Sequence, residues 1–276
     1  MLRSRVITAI IMLVLLMLAL FALPPLAWTV LIVAMVMQGA LEWSHLSGLS
    51  GRSATVYWWL TLLLMVTPLG LGAYVTEAQR IYIHLAVYFV AAALWLVIVP
   101  VWLMTGWKVR HPLVMALVGW VVLVPTGLAM IDLRAAQPEP WILLLVMCLV
   151  WVADIAAYFA GHKYGKRKLA PSISPGKTWE GVAGAMLGVS AYVLLVWGFS
   201  PYSVNPGVLP LLLLAAWWWV ILAVMGDLFE SAIKRQAGVK DSGTLLPGHG
   251  GLLDRIDALT STLPLAALAM LFQRIN

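Results

Sequence analysis

The chain has 276 residues, of which 63% are hydrophobic and 10% charged, with a formal net charge of +6. Water-soluble domains carry about 25% charged residues, so a soluble fold is excluded and a bilayer must solvate most of this surface. The single cysteine, Cys148, sits in an apolar run; it excludes an intrachain disulfide and reads as a small buried hydrophobe.

A spanning helix needs about 20 largely apolar residues. Read in chain order, that length predicts nine spans: 5–23, 25–45, 55–75, 82–105, 112–132, 140–161, 178–200, 207–230 and 257–274. The first has the basic flank of a signal peptide but no evident small-residue cleavage site, and is expected to stay as a membrane helix. Pro24 and Pro25 divide the first pair, and Pro125 is a point at which the fifth span could break. The expected fold class is therefore all-α: a polytopic integral membrane protein of about nine transmembrane helices. One membrane domain covers 1–276, with residues 1–135 as supporting, lipid-facing helices and 136–276 as a catalytic half.

Fourteen of the seventeen lysines and arginines fall at the N-terminus or in even-numbered connections, and only Arg80, Arg134 and Arg274 fall on the opposite side. Positive charge gathers on the cytoplasmic face, so the N-terminus is expected inside and the net charge reads first as topology, with no nucleic-acid partner. Two of these connections, 162–177 and 231–256, hold most of the polarity.

Asp154 interrupts the sixth span. A carboxylate there costs about 2.5–3.5 kcal/mol on insertion scales and is expected to face protein, a cation or water. In the loop that follows, Gly176-Lys177-Thr178 lacks the opening glycine and the preceding strand of a P-loop, and Ser174-x-x-Lys177 lacks the companion motifs of the penicillin-interacting serine enzymes. What remains is a basic loop in which Ser174, Lys177 and Thr178 are candidate phosphate donors, with Glu180 just beyond. Gly184 and Gly188 read as close helix packing. The run Trp217–Trp219 receives no explanation from the sequence.

Asp227, Ser231 and Lys234 share a face of the eighth helix if it continues past 230, and Gly226 is read as room for something large beside Asp227. Asp254 and Asp257 stand near the start of the ninth helix, where the dipole favours negative charge. Acids from two helix ends suit a hard divalent cation, which keeps positions for water and phosphate. Between them, Lys234, Arg235, Lys240 and Arg255 are cationic donors, and the Pro247–Gly251 stretch, with His249, Gly250 and Gly251, lets backbone N–H groups approach an anion. The combination points to chemistry on a metal-bound polyphosphate.

Ser231-x-x-Lys234-Arg235, Lys240-Asp241, Pro247-x-His249-Gly250-Gly251 and Asp254-Arg255-x-Asp257 together resemble the C-terminal signature of the phosphatidate cytidylyltransferases, the CDP-diacylglycerol synthases. Asp154, residues 174–181 and residues 226–231 match as well, and length and span count agree along the chain. The resemblance implies that CTP and phosphatidic acid give CDP-diacylglycerol and pyrophosphate in a bacterial inner membrane, with Mg²⁺ and a second cation, potassium. It implies Asp227 and Asp254 as metal ligands, and Ser231, Lys234, Arg235 and Asp257 as further site positions. A homodimer is left open. Two rivals stand beside it: a CTP-dependent lipid kinase, in which Asp154 or Asp257 would act as base, and an ion-coupled transporter, for which no internal repeat is evident. A CDP-alcohol phosphotransferase is disfavoured because its aspartate motif is missing.

Overall fold

A computed structural model describes residues 2–71, 74–137, 140–199, 206–245, 248 and 250–275. Among these described residues nine long helices follow one another: α1 (Leu2–Ala22), α2 (Pro25–Leu46), α3 (Gly51–Leu71), α4 (Glu77–Thr105), α5 (Pro112–Arg134), α6 (Trp141–Tyr164), α7 (Trp179–Gly198), α8 (Leu209–Gln236) and α9 (Leu253–Ile275). Eight of them, α2 to α9, are long and apolar enough to cross a membrane; in α1 the apolar stretch is the shorter Ile10–Ala22. The chain is an all-α integral membrane protein.

Local chemistry explains where the helices begin. Pro25 and Pro112 open α2 and α5, at positions whose N–H would have no intrahelical partner. Helix α4 starts five residues before the expected 82 because Thr76 and Gln79 form a reciprocal capping box. Pro100 does not break α4. The turn before it, Leu94–Ile98, widens to π geometry, which absorbs the missing donor. Pro125 likewise lies inside an unbroken α5.

One continuous core runs from Leu20 on α1 to Leu271 on α9, with Trp43, Tyr88, Trp95 and Phe229 among its largest buried side chains. Helices α5 and α9 lie at its centre, and α7 is the most peripheral of the spans. Trp43 donates to the Met115 carbonyl and Trp28 to the Met130 carbonyl, fixing α2 antiparallel against α5. At the second of these ends Arg134 lies over the Trp28 ring and donates to the Leu20 and Leu23 carbonyls. The glycines of α7 pack as expected: a Cβ on Gly188 would come within 2.5 Å of the Ala156 methyl on α6, and Gly184 faces Ala160 in the same way. The tryptophan run now has an explanation. Trp217 donates to Ser190 on α7, Trp218 is exposed on the bundle surface, and Trp219 lines an apolar cavity of about 700 Å³ between α6, α7 and α8.

Both polar connections depart from plain loops. Residues Lys168–Ala170 (β1) and Ser174–Thr178 (β2) form an antiparallel hairpin, in register Lys168 to Thr178 and Ala170 to Ser174. Pro171 supplies the turn, closed by the Ile173 N–H on the Ala170 carbonyl. In the second connection α8 continues to Gln236 and α9 begins at Leu253, so most of the charged residues stand on helix ends. The Gln236 amide donates to the Val109 carbonyl and anchors the end of α8 beside α5.

Candidate active site

Two lysine–carboxylate clusters adjoin at one end of the bundle, where α6, β2, α8 and α9 meet. In the first, Lys177 on β2 pairs with Asp227 on α8, Nζ to Oδ2 at 2.5 Å. The Ser231 hydroxyl, one turn along α8, donates to the other Asp227 oxygen at 3.2 Å. Asp154 on α6 and Asp257 on α9 lie within electrostatic range of both Lys177 and Asp227, and Arg255 within range of Asp154. Four elements thus bring three acids and a lysine together.

The second cluster lies one turn further along α8. Lys234 pairs with Glu230 at 3.1 Å on its own helix and with Asp254 at 2.5 Å on α9. The other Asp254 oxygen accepts from the Ser242 N–H and the Gly251 N–H, both at 2.8 Å, with the Ser242 hydroxyl oxygen 3.0 Å away. Glu230 lies within electrostatic range of both Asp254 and Asp257, which joins the clusters.

Gly226 corrects its expected role. It does not leave a space: a Cβ there would come within 2.6 Å of the Asp257 carbonyl and of the Ser261 hydroxyl, so the glycine lets α8 and α9 cross at close range. Ser261 seals that crossing by donating to the Leu222 carbonyl at 2.8 Å. The close crossing is what sets Asp227 beside Asp257.

The other expected residues are placed less centrally. Thr178 is 4% exposed and its hydroxyl oxygen caps α7 by accepting the Gly181 N–H at 3.1 Å. Glu180 holds the hairpin base by accepting from the Lys166 and Arg167 N–H groups. Ser174 is half-buried at the turn end of the hairpin, three residues from Lys177. Arg235, Lys240 and Arg255 are exposed, with Arg235 donating to the Val239 carbonyl. Gly250 has φ +81 and abuts Asp254, where a side chain would be both strained and obstructed. Gly251 donates to Asp254, whereas His249 and Pro247 lie outside the described residues.

Sequence reasoning missed Glu42 and Ser242. Glu42 on α2 is 3% exposed and accepts from Ser242, Leu252 and Leu253, on the same segment that carries Asp254. The signal was present, because Glu42 is as anomalous in its apolar helix as Asp154 is in α6.

Among the described residues, no three His, Cys, Asp or Glu side chains close around a common point as a metal cage. The donor chemistry nevertheless suits a hard cation. Carboxylate and hydroxyl oxygens are gathered there, and two ammonium groups sit on Asp227 and Asp254 where positive charge is favoured. An ion held by one or two carboxylates keeps its remaining positions for phosphate and water.

Comparison with known proteins identifies the family. Residues 3–273 match the cytidylyltransferase family. The chain is 34% identical to a phosphatidate cytidylyltransferase of Haemophilus influenzae over 96% of each chain. It is 37% identical to that of Pseudomonas aeruginosa, over 97% of this chain and 96% of the relative. It is 46% identical to the Thermotoga maritima protein of the same name over 45% of this chain and 46% of the relative. With its family matched along nearly the whole length, the chain belongs to the cytidylyltransferase family of nucleotidyltransferase enzymes.

Proposed function

We propose that the protein is a phosphatidate cytidylyltransferase that makes CDP-diacylglycerol and pyrophosphate from CTP and phosphatidic acid at the cytoplasmic face of a bacterial inner membrane. The observation that carries the proposal is the meeting of Lys177–Asp227 and Lys234–Asp254 at the end of the bundle richest in Lys and Arg. A site there receives CTP from water while phosphatidate enters laterally from the leaflet.

The lipid phosphate is already an anionic nucleophile at neutral pH, so no strong base is required. One of its oxygens attacks the α-phosphorus of CTP. A new P–O–P linkage forms to the lipid, the α–β bridging bond breaks, and its electron pair leaves with pyrophosphate. The barrier is dominated by bringing several negative charges together, which fixed cations lower. Lys177 is suited to this by exchanging its carboxylate partner for a phosphate oxygen and Lys234 by holding a fixed positive charge beside it, with Arg235, Lys240 and Arg255 at the rim. Asp227 and Asp254 would hold Mg²⁺, which supplies Lewis-acid screening of the triphosphate when bound. On the same reading K⁺ is the second cation, Ser231 and Asp257 support the Asp227 cluster, and no nucleic acid takes part.

Purified protein incubated with phosphatidate, Mg²⁺ and CTP tests the assignment, with label carried in the cytidine or in the γ-phosphate. Cytidine label in the lipid phase is expected. γ-Phosphate label there would instead establish a lipid kinase, and no label in lipid from either position would remove the enzyme assignment.

A further inference from the structure

We infer that Glu42, far from the signature in sequence, is a positioning residue that sets Asp254 and its cation by clamping the segment ahead of α9; this rests on the reaction proposed above. Glu42 lies within α2, one turn before its end, and has no basic partner among the described residues. A buried carboxylate without a counter-ion is costly unless its oxygens are saturated. Here they are. One oxygen accepts from Gln38 at 3.0 Å and the Leu252 N–H at 2.8 Å; the other accepts from Ser242 at 2.7 Å and the Leu253 N–H at 2.9 Å. The two N–H groups belong to the opening of α9, where unpaired donors and the helix dipole favour an anion.

Glu42 and Asp254 share this segment between them. The Ser242 hydroxyl lies between the carboxylates, within hydrogen-bond reach of both, and Gly251 donates to Asp254 immediately before Leu252 donates to Glu42. Two glycines make room for the clamp. A Cβ on Gly243 would lie 3.1 Å from the Glu42 carboxyl carbon, and one on Gly251 would collide with a Glu42 oxygen. The second glycine of the Gly250-Gly251 pair is thereby explained by Glu42 rather than by an incoming phosphate. Trp43, the next residue, holds α2 to the Met115 carbonyl of the central α5, so the clamp is mounted on a rigid base.

Glu42 touches no reacting atom in this arrangement; it acts by fixing the orientation of Asp254. Outer partners of this kind typically change metal affinity or activity by about 10–100-fold. Three readouts on the full-length protein separate positioning from general stability. For Glu42→Gln, amide hydrogen exchange should accelerate by about 10-fold at Gly251–Asp254 while the interior of α9 is unchanged. Mn²⁺ binding, followed by electron paramagnetic resonance without substrate, should weaken by about 10-fold or more. In turnover, kcat should fall and the Mg²⁺ requirement rise, with KM for phosphatidate unchanged. Ser242→Ala should move all three the same way by about 3-fold, and it decides the matter if Glu42→Gln does not fold. Unchanged exchange at Gly251–Asp254, exchange raised throughout α8 and α9, or lowered kcat with unaltered Mn²⁺ binding would each overturn the inference. The exchange and Mn²⁺ measurements do not depend on which lipid product forms, so a failure of the proposed reaction would be seen separately.

Discussion

Lys177 with Asp227 and Lys234 with Asp254 are the same chemical pair in two settings. Each has an ammonium 2.5 Å from a carboxylate oxygen, yet the side chains of the first pair are 23% and 31% exposed and those of the second 11% and 5%. Asp227 has one further donor, Ser231, from its own helix, whereas Asp254 has two backbone N–H donors, of Ser242 and Gly251. An open pair can trade partners at small cost, while a closed one is held by everything around it. On the proposed function, the exchangeable part of the site would be Asp227 with Lys177 and the preset part Asp254.

Asp254→Asn should have the largest effect because it damages both chemistry and fold. It leaves Lys234 with Glu230 alone and places an amide N–H against donors. Breaking a buried pair costs about 3–5 kcal/mol, so lipid-product formation should disappear and the thermal midpoint should fall clearly. Asp227→Asn should abolish product equally while the midpoint stays near wild type, since exposed pairs contribute only about 0–1 kcal/mol. Thermal unfolding beside product assays reads both. Equal destabilisation by the two substitutions would break the contrast between open and closed pairs, and near-normal turnover in either would remove that residue from the metal site.

Lys177→Ala sharpens the contrast from the cationic side. It should raise KM for CTP by about 10-fold, the scale of one lost charge-assisted hydrogen bond worth about 1.5–3 kcal/mol, with little change in midpoint. Lys234→Ala should cost stability as well, because it strands Glu230 and Asp254 together without their shared cation. Unchanged CTP kinetics in Lys177→Ala would leave the open pair without a nucleotide role.

How much of this was legible in the sequence depends on the kind of signal. Span count follows from apolar length, a property of composition over some twenty residues, and it was read correctly along most of the chain. Helix ends depend on single capping contacts; Thr76 and Gln79 moved one by five residues. The acids of the C-terminal half stood out because each interrupts an apolar run. Glu42 met the same criterion, as did Asp132, which accepts from His84 at 2.7 Å and Tyr88 at 2.6 Å at the opposite end of the bundle. Both lie outside the signature, and their partners on other elements are 44 to 211 residues away, so only the fold reveals what they hold. Gly226 and Gly251 were read as space or as anion contacts. A glycine's chemistry is the same in either role, and the neighbour that crowds it comes from another element.

Thr178 carries the smallest expected effect and tests the hairpin rather than the helix pair. It is adjacent to Lys177 on β2, and successive strand residues point to opposite faces. One therefore reaches Asp227 while the other turns inward to cap α7, with Gly165 packed against it. If capping is its role, Thr178→Ala should cost about 0.5–2 kcal/mol. That corresponds to a midpoint lower by a few degrees at about 2–4 °C per kcal/mol, and kcat/KM should change by only a few-fold. Thr178→Ser keeps the accepting oxygen and should restore the midpoint. A large loss of turnover at unchanged midpoint would instead return Thr178 to the phosphate-donor role that its place beside Lys177 suggests.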